Sequence, residues 1–200
     1  MTEFQTIENI ELSHVNLTPV TPNDFELIFE WLADPKTSRW LDMGGGRQTL
    51  SRLQFQAFMA NPKMRMFLYG EMNSPPVGFL AINDIGNLMN VAEIWGIRGR
   101  KGGAHDLAMA AFVRILATAF VDFNCEVVWT GVLENNHRSI RVHKLLEMPQ
   151  VGILRARHLF NGRRVNKIIF EFLRKEFENQ FGLVKAISGL ILSEKNYTKN

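Results

Sequence analysis

Phe25, Ile28, Phe29 and Leu32 recur at intervals of three and four, with Glu26, Glu30 and Asp34 between them. That spacing places the apolar residues on one face of a helix and the acids on the other. The predicted helix covers 21–34. Thr21 is its N-cap, Pro22 its first helical residue, acids fill the first turn, and Pro35 stops it. Ahead of it, "HVNLTPV" (14–20) alternates as a strand does. After a glycine-rich turn, "LDMGGGRQ" (41–48), a second amphipathic helix is predicted over 49–61. The period then shortens. "MRMFLYGEM" (64–72), "PVGFLAINDI" (76–85) and "NVAEIWGIRG" (90–99) read as three strands separated by the turn sequences "NSPP" and "DIGN".

The run 104–123 is alanine-rich and free of proline and glycine, which predicts a buried or half-buried helix. A strand over 126–133 and a helix over 136–148 follow. Two further strands, 151–160 and 163–173, meet at Asn161–Gly162, a pair suited to a tight hairpin turn. A last helix runs from Arg174 to Phe181. This order predicts an α/β (α+β) fold with one mixed sheet and helices on both faces, not a doubly wound parallel sheet.

Between the strand 90–99 and the helix 104–123 stands "RGRKGGAHD" (98–106). A helix N-terminus offers unpaired N–H groups and the positive end of a dipole. Glycines let a phosphate approach those groups closely. Gly102, Gly103 and Ala104 would supply amides, and Arg98, Arg100 and Lys101 would supply charge. A solvated, flexible turn is the alternative reading of the same residues.

Composition narrows the classes. Two hundred residues, 46% hydrophobic and 22% charged, suit one soluble globular domain with a tail. We expect the domain over 1–182 and the tail over 183–200. Cys125 is the single cysteine, so no internal disulfide forms, and the five histidines lack the spacing of metal ligands. A reducing, cytoplasmic location is the expectation. The acidic N-terminus has no apolar core of a signal peptide, and "LVKAISGLIL" (183–192) is half the length of a membrane span. Net charge is +3, but acids dominate residues 1–40 while Lys and Arg dominate 135–172. The basic strands "LRARHLFNGRRVNK" (154–167) would suit nucleic-acid phosphates or an acidic partner, without a recognised reading motif. A homodimer is compatible with the tail.

Three stretches together resemble the GNAT superfamily of acyl-CoA-dependent N-acetyltransferases: "AEIWGIRGRKGGAHDLAMAAFVRIL", "VVWTGVLENNHRSIRVHKLLEM" and "VNLTPVTPNDFELIFEWLADP". The last is similar to the branch that acetylates ribosomal-protein N-termini. The resemblance spans about 14–173 and implies a mixed, mostly antiparallel central sheet. It implies acetyl-CoA as co-substrate, with Ile97, Arg98, Arg100, Lys101, Gly102, Gly103, Ala104 and Asn136 as its binding residues. It also implies an amine acceptor that itself attacks the thioester carbonyl, without a protein nucleophile. The family's Arg/Gln position falls on Gly99, its Tyr on His143, and its Gly-Phe on Glu147–Met148. Glu93 lies on the strand where several members keep a base. If that strand alternates, Glu93, Trp95 and Ile97 share a face. Glu93 is then either a base in the acceptor cleft or a solvent-facing carboxylate. His143 is either a proton donor to the departing thiolate or a histidine on the helix surface. A second reading of the resemblance is a GNAT-fold binding or assembly protein, possible for a phage-encoded chain, that has lost catalysis.

Overall fold

The computed structural model describes residues 14–43, 49–102 and 106–181. The expected tail, together with Gly103, Ala104 and His105, lies outside the described residues. Seven strands form one sheet: β1 (Val15–Pro19), β2 (Arg65–Glu71), β3 (Gly78–Asn83), β4 (Val91–Arg98), β5 (Val127–Leu133), β6 (Gln150–Phe160) and β7 (Arg163–Leu173). Their spatial order is β1-β2-β3-β4-β5-β7-β6. Every neighbouring pair is antiparallel except β4 and β5. The mixed, mostly antiparallel sheet expected from the sequence is the one observed.

Among the described residues, six α-helices cover the faces: α1 (Phe25–Ala33), α2 (Pro35–Ser38), α3 (Arg52–Met59), α4 (Leu107–Val121), α5 (His137–Leu145) and α6 (Arg174–Phe181). The chain enters α1 through a single 3-10 turn, Pro22–Asp24. The Asp24 carboxylate accepts bonds from the Thr21 N–H and hydroxyl, both at 2.8 Å. Pro35 does more than end α1. It begins α2, whose N-cap Asp34 accepts the Lys36 N–H at 2.9 Å, because a proline at the first helical position loses no hydrogen bond. Ser51 and Gln54 cap α3 reciprocally, at 3.3 and 3.0 Å.

Two cores follow from strand alternation. Ala92, Ile94, Val128, Phe170 and Phe172 turn toward α4 and α6. Phe79, Ala81 and Ile97 turn the other way, toward Ile28, Trp31 and Leu32 of α1 and Phe55 of α3. Helix α4 is buried along nearly its whole length, as its alanines predict. Cys125 is buried.

The hairpin at Asn161–Gly162 has φ values of 50° and 74°, the left-handed pair its sequence calls for. Strand β6 is not the plain strand expected. Its register against β7 shifts twice, between Gln150 and Gly152 and between Leu154 and His158, and Ala156 sits at φ 51°. The second irregularity is held by side chains. Asn166 Oδ1 accepts the Ala156 N–H at 2.9 Å, and Arg164 donates to the Ala156 carbonyl at 3.1 Å. Bulges of this kind bend a strand and re-aim its side chains.

Gly99, at the end of β4, is in contact with α1. A Cβ there would overlap the Trp31 indole. Gly99→Ala should therefore destabilise the fold by about 1–3 kcal/mol, the range for overpacking a filled site. Urea unfolding measures it, and an unchanged midpoint would mean that Trp31 does not rest on this position.

Candidate active site

The parallel neighbours β4 and β5 are paired over only three positions, Val91, Ala92 and Glu93 against Val127, Val128 and Trp129. Beyond them β4 continues to Arg98, held by β3, and β5 continues to Leu133, held by β7. The two strands therefore separate past Glu93 and Trp129 and leave a wedge in the middle of the sheet. Strand edges in such a wedge carry peptide groups without ladder partners. The Gly99 N–H bonds the Val77 carbonyl at 2.9 Å, and the Glu126 N–H bonds the Asn90 carbonyl at 2.7 Å. Odd-numbered peptides of β4 thus face β3, and even-numbered ones face β5. Gly96 and Arg98 present their peptides to the wedge. The Ile97 peptide faces β3, and its side chain is buried against the α1 layer.

At the wide end of the wedge the chain turns through 98–102. Arg98 folds back over this turn, its Nε 3.4 Å from the Arg100 carbonyl and its terminal nitrogen bonded to the Gly102 carbonyl. Arg100, Lys101 and Gly102 are exposed. Gly102 has φ 127°, a conformation that favours glycine. Together with Val77 and Pro75 these three residues line a shallow depression. Downstream, the α4 N-cap Asp106 makes no capping bond; its carboxylate lies 3.7 Å from His14 Nε2. Among the described residues, no side chain caps the first-turn amides of α4.

A further cation joins this end. The Tyr69 phenol is buried, and burial pushes its pKa up to about 12. The Arg98 and Arg138 guanidiniums both pull against that rise, so a charge from the first turn of α5 also acts on this phenol. Sequence reasoning missed Arg138 because nothing in its spacing says which buried groups its charge reaches.

Glu93 stands at the vertex of the wedge, on the face of β4 shared with Trp95 and Ile97, as alternation predicts. It is half-buried, not solvent-facing. Burial raises its pKa above the ordinary carboxylate value. The Lys167 ammonium and a 3.4 Å contact from Asn83 Nδ2 oppose that rise, while the Asp84 and Asp42 carboxylates add to it. A carboxylate with a raised pKa inside a cleft is suited to accept a proton.

Asn136 is the N-cap of α5, its Oδ1 accepting the Ser139 N–H at 3.2 Å. Seven residues on, His143 lies in the core, 4% exposed, and the helix-surface alternative is excluded. Its ring stacks on Phe170 at 4.9 Å and meets the Phe112 edge at 5.0 Å. Nδ1 is 2.7 Å from the Ser139 carbonyl oxygen, which can only accept, so Nδ1 carries the proton. In the neutral ring Nε2 is then a bare lone pair, buried without a partner. Burial lowers the pKa of the ring, so the neutral form prevails. An acid role at Nε2 needs the imidazolium, the form this environment disfavours.

That burial has a measurable consequence. The folded pKa lies below the unfolded value of about 6.5, so below that pH the unfolded chain binds the extra proton and stability falls. The loss should approach about 1.4 kcal/mol per pH unit until the folded ring also protonates. Comparing urea unfolding at pH 5 and 7.5, His143→Leu should lose less stability on acidification than the wild type. Equal losses would place the ring's folded pKa at its unfolded value.

The face carrying Glu93 is walled on one side by the β6–β7 hairpin. Trp40 packs on Phe160 at 4.8 Å, and Arg39 lies over the Trp40 ring at 4.9 Å. His158 is buried, with Nε2 3.3 Å from the Arg39 carbonyl. The segment 39–42 and the hairpin thus meet beside the wedge. Among the described residues no group of histidine, cysteine or carboxylate side chains is arranged to hold a metal, and no helix is long and apolar enough to cross a membrane.

A sheet split between two parallel central strands, with a basic glycine turn leading into a helix at the open end, is the architecture of an acyl-CoA-dependent acetyltransferase. Residues 14–148 match the acetyltransferase (GNAT) domain model, and the chain belongs to the GNAT family. It is an acetyl-CoA-dependent N-acetyltransferase. No curated protein sequence matches it. Among solved structures it is similar to spermidine N-acetyltransferase from Vibrio cholerae in complex with CoA and spermine. The TM-score is 0.74 at 15% identity, over 82% of this chain and 98% of that one. The spermidine/spermine N-acetyltransferase SpeG of Vibrio cholerae with manganese ions gives 0.68 at 15%, over 85% and 98%. At such identities the likeness is one of fold.

Proposed function

We propose that this enzyme moves the acetyl group to a primary amine by direct attack of the amine on the thioester carbonyl, with Glu93 as the base. The carrying observation is the three-residue pairing of β4 with β5, which opens the sheet at Glu93 itself. In this reading the pantetheine arm lies in the wedge as an extra strand, against the peptides of Gly96 and Arg98. The phosphates lie at the turn, held by Arg98, Arg100, Lys101, the amides of Gly102 to Ala104 and the α4 N-terminus, with Arg138 added from α5. Asn136 acts by fixing the start of α5. His143 stands where a proton donor was expected, but its neutral form has no proton on Nε2, so the thiolate draws its proton from elsewhere.

The acceptor enters on the Glu93 face. Asp42 and Asp84 bear on that carboxylate, so a cationic amine is the class to try first. Polyamines, named for the structural neighbours, head that class. Calorimetric titration with acetyl-CoA tests the first half: binding with Kd on the order of micromolar is expected, within the usual range for enzyme substrates. Absence of binding at millimolar acetyl-CoA would sink the proposal. CoA release with spermine and simpler primary amines tests the second half.

A further inference from the structure

We propose that Lys167 is a positioning residue that acts through Glu93, as the resident counter-ion holding that carboxylate ionised inside the sheet. For its catalytic consequence the proposal rests on Glu93 being the base.

Lys167 is on β7, opposite Leu133 of β5. Odd-numbered residues of β7 face away from Phe170 and Phe172, so Lys167 is on the Glu93 side of the sheet. Its stem does not run straight out to solvent. It lies across Gly131, with Cγ, Cδ and Cε at 3.1, 2.6 and 3.0 Å from where a Cβ of residue 131 would stand. Gly131 is two residues nearer the vertex than Leu133. Trp129, two residues further, is the partner of Glu93. The stem therefore runs along β5 toward the vertex. The missing side chain at 131 is the channel it uses, and the ammonium acts on Glu93 from there.

The surroundings give that charge its purpose. Glu93 is half-buried, and its neighbours from other elements are Asn83 and Asp84 at the end of β3, Asp42 from the segment after α2, Trp129 of β5 and Lys167 of β7, with the Glu171 carboxylate of β7 on the same face opposite Trp129. Burial and both aspartates favour the protonated carboxyl. Asn83 offers one long contact of 3.4 Å. Among the charged groups that bear on Glu93 within the described residues, Lys167 is the cation. The Lys167 charge favours the ionised carboxylate, while the bond to its Oε2 comes from Asn83.

The test observes the carboxyl directly. The full chain is labelled with 13C at the glutamate side-chain carboxyl, and the Glu93 resonance is identified by its loss in Glu93→Gln. Its titration is followed in the wild type, Lys167→Met and Gly131→Ala. Lys167→Met should raise the midpoint by about one pH unit or more, a tenfold gain in proton affinity. Gly131→Ala keeps the lysine but displaces its stem, and should move the midpoint in the same direction. Lys167→Arg should stay near wild type. An unmoved midpoint in Lys167→Met overturns the proposal whatever the other variants show. Because no substrate enters this measurement, its failure leaves acetyl transfer standing. A catalytically silent Glu93→Gln would instead remove the base and leave the counter-ion in place.

Discussion

Glu93→Gln should lower kcat by about a hundredfold to ten-thousandfold, the range over which a positioned general base contributes, while the affinity for acetyl-CoA stays unchanged. The amide is the same size and keeps the contact with Asn83, so packing at the vertex survives. What it loses is the lone pair that takes the ammonium proton. The pH dependence separates this from a simple structural loss. Below the folded pKa of Glu93 the carboxyl holds its proton and cannot accept another. Wild-type kcat/KM should therefore rise through that pKa, which burial places above 4.5, and the acidic limb should vanish in the variant. Stability should move the opposite way. The folded pKa is raised, so the unfolded carboxyl ionises first as pH climbs, and an ionised Glu93 costs folding free energy at neutral pH. Glu93→Gln should then melt slightly higher than wild type at pH 7.5. A loss of kcat smaller than about threefold, well under what a base contributes, would put the base elsewhere.

Most of the fold was legible because it rests on local patterns. Period 3.6 gave α1 and α3, and alanine content gave α4, while the short apolar runs between turn sequences gave β2, β3 and β4 within a residue or two of their observed ends. Asn161–Gly162 announced its turn because left-handed backbone suits those residue types. The wedge was not legible. Whether two parallel strands stay paired depends on what holds their far edges, and no residue in "EIWGI" or "TGVL" states that. The basic glycine turn was visible through composition alone, but which β4 peptides face the wedge was not, since peptide direction depends on which neighbour takes the odd residues. His143 was singled out by the resemblance, at the family's Tyr position, but its chemistry was hidden. Burial, tautomer and the Phe112–Phe170 sandwich are tertiary facts. Gly99 read as a departure from the family pattern, and Gly131 as one residue of a predicted strand. In space each is the partner of a particular side chain, Trp31 and Lys167.

Gly102→Glu should weaken acetyl-CoA binding by about a hundredfold or more, the largest effect expected at the turn. Steric exclusion is not the reason. A Cβ at 102 meets nothing nearer than Val77 Cγ1 at 4.0 Å. Two other causes act. The backbone at φ 127° strains any side chain and shifts the amides that follow. The new carboxylate also stands among Arg98, Arg100 and Lys101, where it neutralises cations and repels phosphate. At about 4 Å and an effective dielectric near 20, one such repulsion is worth roughly 4 kcal/mol, more than the 2.7 kcal/mol of a hundredfold loss. Gly102→Ala carries the strain without the charge and separates the two, so it should lose less than about tenfold, or 1.4 kcal/mol. Salt separates them again. Raising ionic strength screens the exposed carboxylate and should narrow the gap between Glu and Ala variants, whereas strain is indifferent to it. Calorimetry with acetyl-CoA at two salt concentrations reads all four cases. If the Glu variant binds as tightly as wild type, the phosphates do not lie at this turn, and the wedge must take its ligand in another direction.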